Sequence, residues 1–389
     1  MVEKMMLFTP GPVMTSDRVK AALAHPDMGH RRPTFEHVLA NVRAGLLELF
    51  RADGQYATAV VSGSGTAANE TALSSIVREG DEVLLIKNGE FGNRLEEILT
   101  CYHYPLHVLE YAWGQPPDPQ EVERRLIENA KIAWVCIVYH ETSTSMINPV
   151  GPVSALVHKH GRKLFVDCIS AVGGEEIDVV RDQIDVATGV PNKAVGGMCG
   201  VSFVCARRSS VPALGPDVPR RNIYLNLQNH IQWADRFSQT PNTPSVTMFV
   251  ALDATLQELL DEGLEARIQR YRECARIIRD GVRRMGLRLL LPDELTSNTV
   301  TTVFLPERIK LAAFVTELAD RGYLVYPGKG PLYGQNAFQI ANMGQIEPRH
   351  CRALLRVLKE TLSDMLSEAQ RDLCDTAIPD RGLVAQGGE

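Results

Sequence analysis

The stretch KLFVDCISAVGGEEIDVVRDQIDVATGVPNKAVGG (163–197) decides the fold. It holds two short apolar, β-rich runs, KLFVD (163–167) and DVATG (185–189). The first ends in Asp167, and Lys193 follows the second. The same texture extends outward on both sides. ATAVVS (57–62), EVLLI (82–86), IAWVCIV (132–138) and VSFVCA (201–206) are further continuous apolar runs. Helix-like segments such as AANETALSSIV (67–77) and PQEVERRLIENA (119–130) lie between them. Continuous apolar strands alternating with amphipathic helices predict an α/β domain whose largely parallel sheet is covered on both faces.

Beyond Pro241–Pro244 the pattern changes. A run at 245–286 carries apolar residues at three- and four-residue spacing and predicts one long helix. Next come a strand at 298–305, a helix at 311–322, a glycine-rich turn, AFQIAN (337–342) and a helix at 348–366. They predict a smaller α+β domain joined by that helix. The expected organisation is an N-terminal segment, 1–20, associated with the small domain; a large domain, 21–255; a small domain, 256–368; and a disordered polar tail, 369–389.

Composition narrows the function classes. The 389 residues are 44% hydrophobic and 23% charged, as in a globular protein with a sizeable core. Lys and Arg number 41 against 47 Asp and Glu, so the net charge of −6 offers no basic surplus for nucleic acid or anionic lipid. No apolar run reaches the roughly 18 residues of a membrane helix. The opening MVEKMMLFTPGP does not read as a signal peptide, and the expected location is cytoplasmic. The eight cysteines are scattered without a C-x-x-C pair and read as reduced core residues. His158 and His160 lie at the polar end of a helix, and no metal site is assigned.

Three features carry chemistry. In SGSGT (62–66), Ser62, Gly63, Ser64, Gly65 and Thr66 stand between a buried strand and a helix start. Successive backbone N–H groups, hydroxyl donors and a helix N-terminus there make a phosphate cradle. Alone, the segment is equally a tight turn capped by Thr66. Neither the P-loop nor the dinucleotide fingerprint fits it. Asp167 closes an apolar strand at the ligand-binding end of an α/β sheet, where a helix cap is the plainer alternative. Lys193 lies in PNKAVGG with little charge near it, in a chain of ten lysines and 31 arginines. A desolvated lysine has a lowered pKa and becomes an amine nucleophile, while a lysine snorkelling from a loop is the bland reading. Together, cradle, aspartate and lysine match pyridoxal phosphate. The cradle takes the phosphate, the lysine the aldehyde and the aspartate the ring nitrogen. Phe91 in KNGEFGNR is placed to stack on the ring, or else is a core aromatic.

On these residues the chain resembles the class V aminotransferases of pyridoxal-phosphate fold type I. The branch is that of 2-aminoethylphosphonate–pyruvate and alanine/serine–glyoxylate transaminases. The resemblance runs from FTPGPV (8–13) through GHRRPTFE (29–36), SGSGT, NGEFGNR (88–94), HETSTSMINP (140–149), VDCISAVGG (166–174) and PNKAVGG (191–197) to FQIANMG (338–344). It implies a mostly parallel seven-stranded-type sheet with a smaller C-terminal α+β domain. It also implies that Lys193 carries the cofactor, Asp167 partners the ring nitrogen and Phe91 stacks. Ser64, Gly65 and Thr66 hold the phosphate, with Thr142 beside the cofactor and Asn192 near the phosphate. Thr243 matches a residue that reaches the neighbouring subunit's cofactor, which implies a homodimer with shared sites; as a bland alternative it is a helix cap before Ser245. The implied activity moves an amino group between an amino acid or aminophosphonate and a 2-oxo acid such as pyruvate or glyoxylate.

Two departures bear on the substrate side. The family's substrate-anchoring arginine is replaced by Gln339, which is neutral and offers at most two donors in place of a charged fork. Ser145 stands where these transaminases carry glycine. Either another cation, among Arg31, Arg32 and Lys329, takes the substrate's anion, or the enzyme runs another reaction on the same cofactor: elimination, decarboxylation or carbon–carbon bond formation.

Overall fold

The computed structural model describes residues 5–212 and 221–376. Its centre is a seven-stranded sheet of β1 (Tyr56–Ser62), β2 (Glu82–Lys87), β3 (Leu106–Glu110), β4 (Ile132–Val138), β5 (Lys163–Asp167), β6 (Val186–Gly189) and β7 (Val201–Arg207). The spatial order is β1-β7-β6-β5-β4-β2-β3, with β7 antiparallel to both neighbours and every other pair parallel. The mostly parallel α/β expectation holds. The apolar runs are continuous because the sheet is buried on both faces. Val60, Ile86, Ile137, Val166 and Phe203 pack into one core, and Ala59, Leu85, Cys136, Phe165 and Val204 into the other.

Sequence reading missed β3. Among the described residues this edge strand pairs only with β2, and its LHVLE is interrupted by His107, half-buried, and Glu110, exposed. The periodicity that marks the doubly covered strands is therefore absent from it.

The expected single helix at 245–286 is two: α4 (Val246–Glu262) and α5 (Leu264–Arg284). Gly263 separates them at φ 84°, in the left-handed region where a Cβ is unfavourable. Beyond α5 stands an antiparallel sheet, β8 (Arg288–Leu289), β9 (Val300–Phe304), β10 (Tyr326–Pro327) and β11 (Ala337–Ala341), in the order β8-β9-β11-β10. Its core joins Val303, Phe338 and Ile340 to Cys274 and Ile278 of α5 and to Leu354 and Leu358 of the last helix, Pro348–Thr376. That helix runs past Glu368 into the stretch expected to be a disordered tail; residues 377–389 of that stretch lie outside the described residues. At the other end, Met6–Leu7 pairs in parallel with Tyr323–Leu324 beside the small sheet.

The described cysteines are unpaired. Cys101 and Cys199 are exposed, against the expectation of core positions, and the remaining five are buried. No helix among the described residues is long and apolar enough to cross a membrane.

Candidate active site

Asp167 ends β5 at the carboxyl edge of the sheet and is 3% exposed. It does not cap a helix. One carboxylate oxygen accepts from Asn69 Nδ2 at 2.8 Å and the other from Ile169 N at 2.9 Å, while Thr188 Oγ1 on β6 donates to Asn69 Oδ1 at 2.7 Å. Thr188 thereby fixes the amide so that its NH2 faces the aspartate. Burial pushes the Asp167 carboxyl above its usual range, against the pull of these donors and of Lys193 and Arg94. Among the described residues no cation lies within 4.0 Å of it. A buried carboxylate in that state is a receptor for a positive or N–H-bearing partner.

The SGSGT turn leads from β1 into α2 (Gly65–Ile76), the helix that carries Asn69. Ser64 is the N-cap and makes no side-chain cap bond; Thr66 is the second residue of the helix and not its cap. Ser64 is exposed, Gly65 and Thr66 are half-buried, and the first-turn N–H groups of α2 open outward beside them. A Cβ on Gly65 would lie 2.7 Å from Ile169 Cδ1, so this helix start packs closely on the segment after Asp167 and a larger residue would make the Ile169 side chain shift.

Lys193 lies in the turn Pro191–Val195 beside half-buried Asn192. Its Nζ donates to Pro10 O at 2.5 Å and stands 5.9 Å from the centroid of Phe91. Gly11 closes over the chain at φ 123°, where a Cβ would come 3.0 Å from Lys193 Cδ. The N-terminal TPGP motif thus roofs the lysine, a role that sequence reading did not give it. Burial, followed by the charge of Lys329, pushes the ammonium down to about 8, with Asp167 pulling the other way.

Phe91 opens helix α3 (Glu90–Cys101). Glu141, fully buried, accepts from Phe91 N and Gly92 N at 3.1 Å and from Ser143 Oγ at 2.5 Å, so it caps the helix start that orients the ring. A Cβ on Gly89 would lie 2.4 Å from Glu141, which accounts for the glycine of NGEFG. Thr142 is buried and donates to Ser170 Oγ at 2.5 Å. His140 holds Ser170 O through Nδ1 at 3.1 Å, while its buried Nε2 has no partner. Burial pushes this imidazole down to about 4, so it is neutral near pH 7 and Nε2 is an open acceptor.

The two departures meet in space. Gln339 on β11 is 1% exposed and donates to Thr142 O at 2.6 Å, Ser143 O at 3.2 Å and Thr302 Oγ1 at 3.1 Å. Ser145 Oγ bonds the same Thr302 hydroxyl at 2.6 Å. Its backbone sits at φ 67°, the left-handed conformation in which a glycine is at home.

Arg31 donates to Gln239 Oε1, Thr240 O and Pro241 O and stacks on Trp233, making it a strut of the 239–241 loop. Thr243 is exposed in the following segment, which the bond from Ser245 N to Ser62 Oγ ties to the cradle of its own chain. Lys329 Nζ and Arg94 Cζ lie 4.8 and 5.5 Å from the Phe91 centroid. Asn69, Thr188, His140, Glu141 and Thr302 escaped sequence reading because each acts through partners tens of residues or more away. Arg94, one turn beyond Phe91 in NGEFGNR, offered a signal in its spacing.

The model of the family described as "Aminotransferase class-V" matches residues 16–353. The chain belongs to the class V aminotransferase family. It is 31% identical over 363 residues to a 2-aminoethylphosphonate–pyruvate transaminase of Salmonella paratyphi B, covering 92% of this chain and 97% of the relative. The solved alanine–glyoxylate aminotransferase of a Nostoc species superposes with a TM-score of 0.87 at 25% identity, covering 93% of this chain and 96% of that one. Pyridoxamine–pyruvate aminotransferase of Mesorhizobium loti gives 0.86 at 25%, covering 97% and 98%. This class V aminotransferase is therefore a transferase enzyme, and its named relatives support transamination rather than the other reactions considered.

Proposed function

We propose that this enzyme is a pyridoxal-phosphate aminotransferase that moves an amino group between an amino acid or aminophosphonate-type donor and a 2-oxo acid such as pyruvate or glyoxylate. One observation carries the reading: the buried Asp167 carboxylate without a cation, beside a lysine amine lowered to about 8 that faces an aromatic ring. These residues fit the cofactor. Asp167 suits the ring nitrogen and Phe91 the ring face. The turn at Ser64, Gly65 and Thr66 suits the phosphate, with Asn192 beside it, and Thr142 and the open His140 Nε2 line the same wall. Exposed Thr243 is free to reach the site of a partner subunit, in a homodimer with shared sites.

When bound, pyridoxal phosphate supplies a carbonyl for amines and an electron-accepting ring. The chain's own part is acid–base and positional. Lys193 Nζ, neutral in a substantial fraction near pH 8, takes the proton from the donor's Cα and returns it to the opposite end of the transfer. Asp167, a buried carboxylate with no cation within 4.0 Å among the described residues, would hold a proton at the ring nitrogen. Pro10 and Gly11 close over the lysine chain and limit the access of water to it.

Purified protein loaded with the cofactor should absorb in the visible imine band, and Lys193→Ala should abolish that band. Donor without acceptor should convert the wild type to the pyridoxamine form with release of a keto product. A protein that regenerates its starting spectrum with every amino donor, releasing no keto acid, would overturn the reading.

A further inference from the structure

Phe91 gathers more positive charge than amine chemistry requires. The Lys193, Lys329 and Arg94 head groups lie 5.9, 4.8 and 5.5 Å from its centroid. An aromatic face offsets only a small part of such crowding at an accessible site. Among the described residues neither Arg94 nor Lys329 has a carboxylate within 4.0 Å. The nearby Glu141 is already engaged by Phe91 N, Gly92 N and Ser143. The Lys329 ammonium is pushed down by burial and then by Arg94.

The backbone that carries the pair is fixed, while the two head groups make no hydrogen bond among the described residues. Arg94 stands one turn beyond Phe91 on α3. Lys329 lies between Gly328, whose N–H bonds Ala337 O at 2.7 Å, and Gly330, which adopts φ 48° against Trp113; a Cβ there would lie 2.6 Å from the indole. Trp113, from the segment after β3, packs in turn on the small-sheet cluster of Phe304, Leu332 and Ala337. The side chain at 339 has no such freedom, because its amide is committed to Thr142 O, Ser143 O and Thr302.

We propose that Arg94 and Lys329 together receive the anionic end of the substrate, a carboxylate or phosphonate, in place of a cation at position 339. This rests on the reading of the site as a transaminase site and names its substrate class: an amine whose far end is an anion. Two like charges with no carboxylate within 4.0 Å among the described residues, offset only from farther off by Glu90 and Glu141, bind an anion with relief of their mutual repulsion, which a single neutral amide does not match.

The test uses the cofactor-loaded protein and two probes that carry the anion without the amine, methylphosphonate and propionate, titrated calorimetrically. Wild type should bind one or both. Arg94→Gln and Lys329→Gln should each weaken binding about tenfold, the loss of one charge-assisted contact. The same variants should raise KM for acidic donors with kcat little changed, and Gln339→Ala should leave probe affinity within about twofold. Cofactor content, read by absorbance, should match wild type in both charge variants. The proposal is overturned if wild type binds neither probe, or if the charge variants bind as wild type does. It is also overturned if the variants lose cofactor while keeping probe affinity, since the pair would then serve the cofactor's phosphate. If the probes bind as expected but no donor is transaminated, the anion receptor stands and the proposed function fails.

Discussion

Lys193 offers a chemical test of its surroundings, because the causes of its lowered pKa have opposite signs. Burial and Lys329 push it to about 8, while Asp167 opposes them. Competitive labelling of the cofactor-free protein with acetic anhydride, mapped by mass spectrometry, should show Lys193 reacting with a midpoint near pH 8. Lys329→Gln should move that midpoint up and Asp167→Asn should move it down; movement of either in the reverse direction would refute the placement. Gln339 allows a second test. Gln339→Arg would force a guanidinium into a 1% exposed position whose amide now satisfies two backbone carbonyls. It should lower the unfolding temperature, through a loss of about 1–3 kcal/mol, without lowering KM for alanine or 2-aminoethylphosphonate. An active, stable variant with a lower KM would show that the missing cation alone sets selectivity. Asp167 and Lys193 were legible from residue type and local setting, and Gln339 and Ser145 as departures from the pattern of the family the chain resembles. Thr302, which joins Gln339 to Ser145, was not, since a threonine in an apolar strand announces no partner.

The elements show the same division. The doubly buried strands were legible from continuous apolar runs, whereas in the edge strand Leu106–Glu110 His107 and Glu110 interrupt the apolar run without a regular alternation, and Gly263 broke a helix whose apolar spacing runs on across it. The His140–Glu141 and Met146–Ile147 hairpin is a subtler case. Its sequence, HETSTSMI, reads as a polar loop, yet Glu141 reaches across to hold the first turn of α3 and with it Phe91. Glu141→Ala should leave the Phe91 and Gly92 N–H groups without an acceptor in a dry setting. The expected cost is about 1–3 kcal/mol in urea unfolding, together with a weakened and shifted cofactor band as the ring loses its orientation. An unchanged band in a destabilised variant would separate capping from ring placement and reject the link.

Across the molecule, the lysine turn is braced from the side of α5 and the small sheet. Tyr271 on α5 donates to Ala194 O at 2.7 Å and accepts from Gly344 N at 3.0 Å, and buried Arg267 donates to Val195 O at 2.6 Å. A second clamp joins Glu175, which follows β5 of the large sheet, to Asn298, which precedes β9 of the small one. The Glu175 carboxylate accepts from Asn298 N and Nδ2, each at 2.7 Å. Burial pushes its pKa up to about 8 from 4.5, against the pull of Asn298, Arg279 and Arg272. Between those two values the unfolded chain has released the proton and the native chain retains it. The native state then binds more protons, so this group's contribution to stability falls as pH rises through that window. Lys193 acts above it: with a native pKa of about 8 against 10.5, the unfolded chain holds more protons there, and stability rises with pH. Glu175→Gln removes the first slope and leaves the second. Thermal unfolding from pH 5 to 9 should show the variant gaining on wild type as pH increases to about 8, with a constant difference beyond. Parallel curves from pH 5 upward would mean that Glu175 is already ionised in the native protein, and that its clamp to Asn298 is an ordinary charged hydrogen bond.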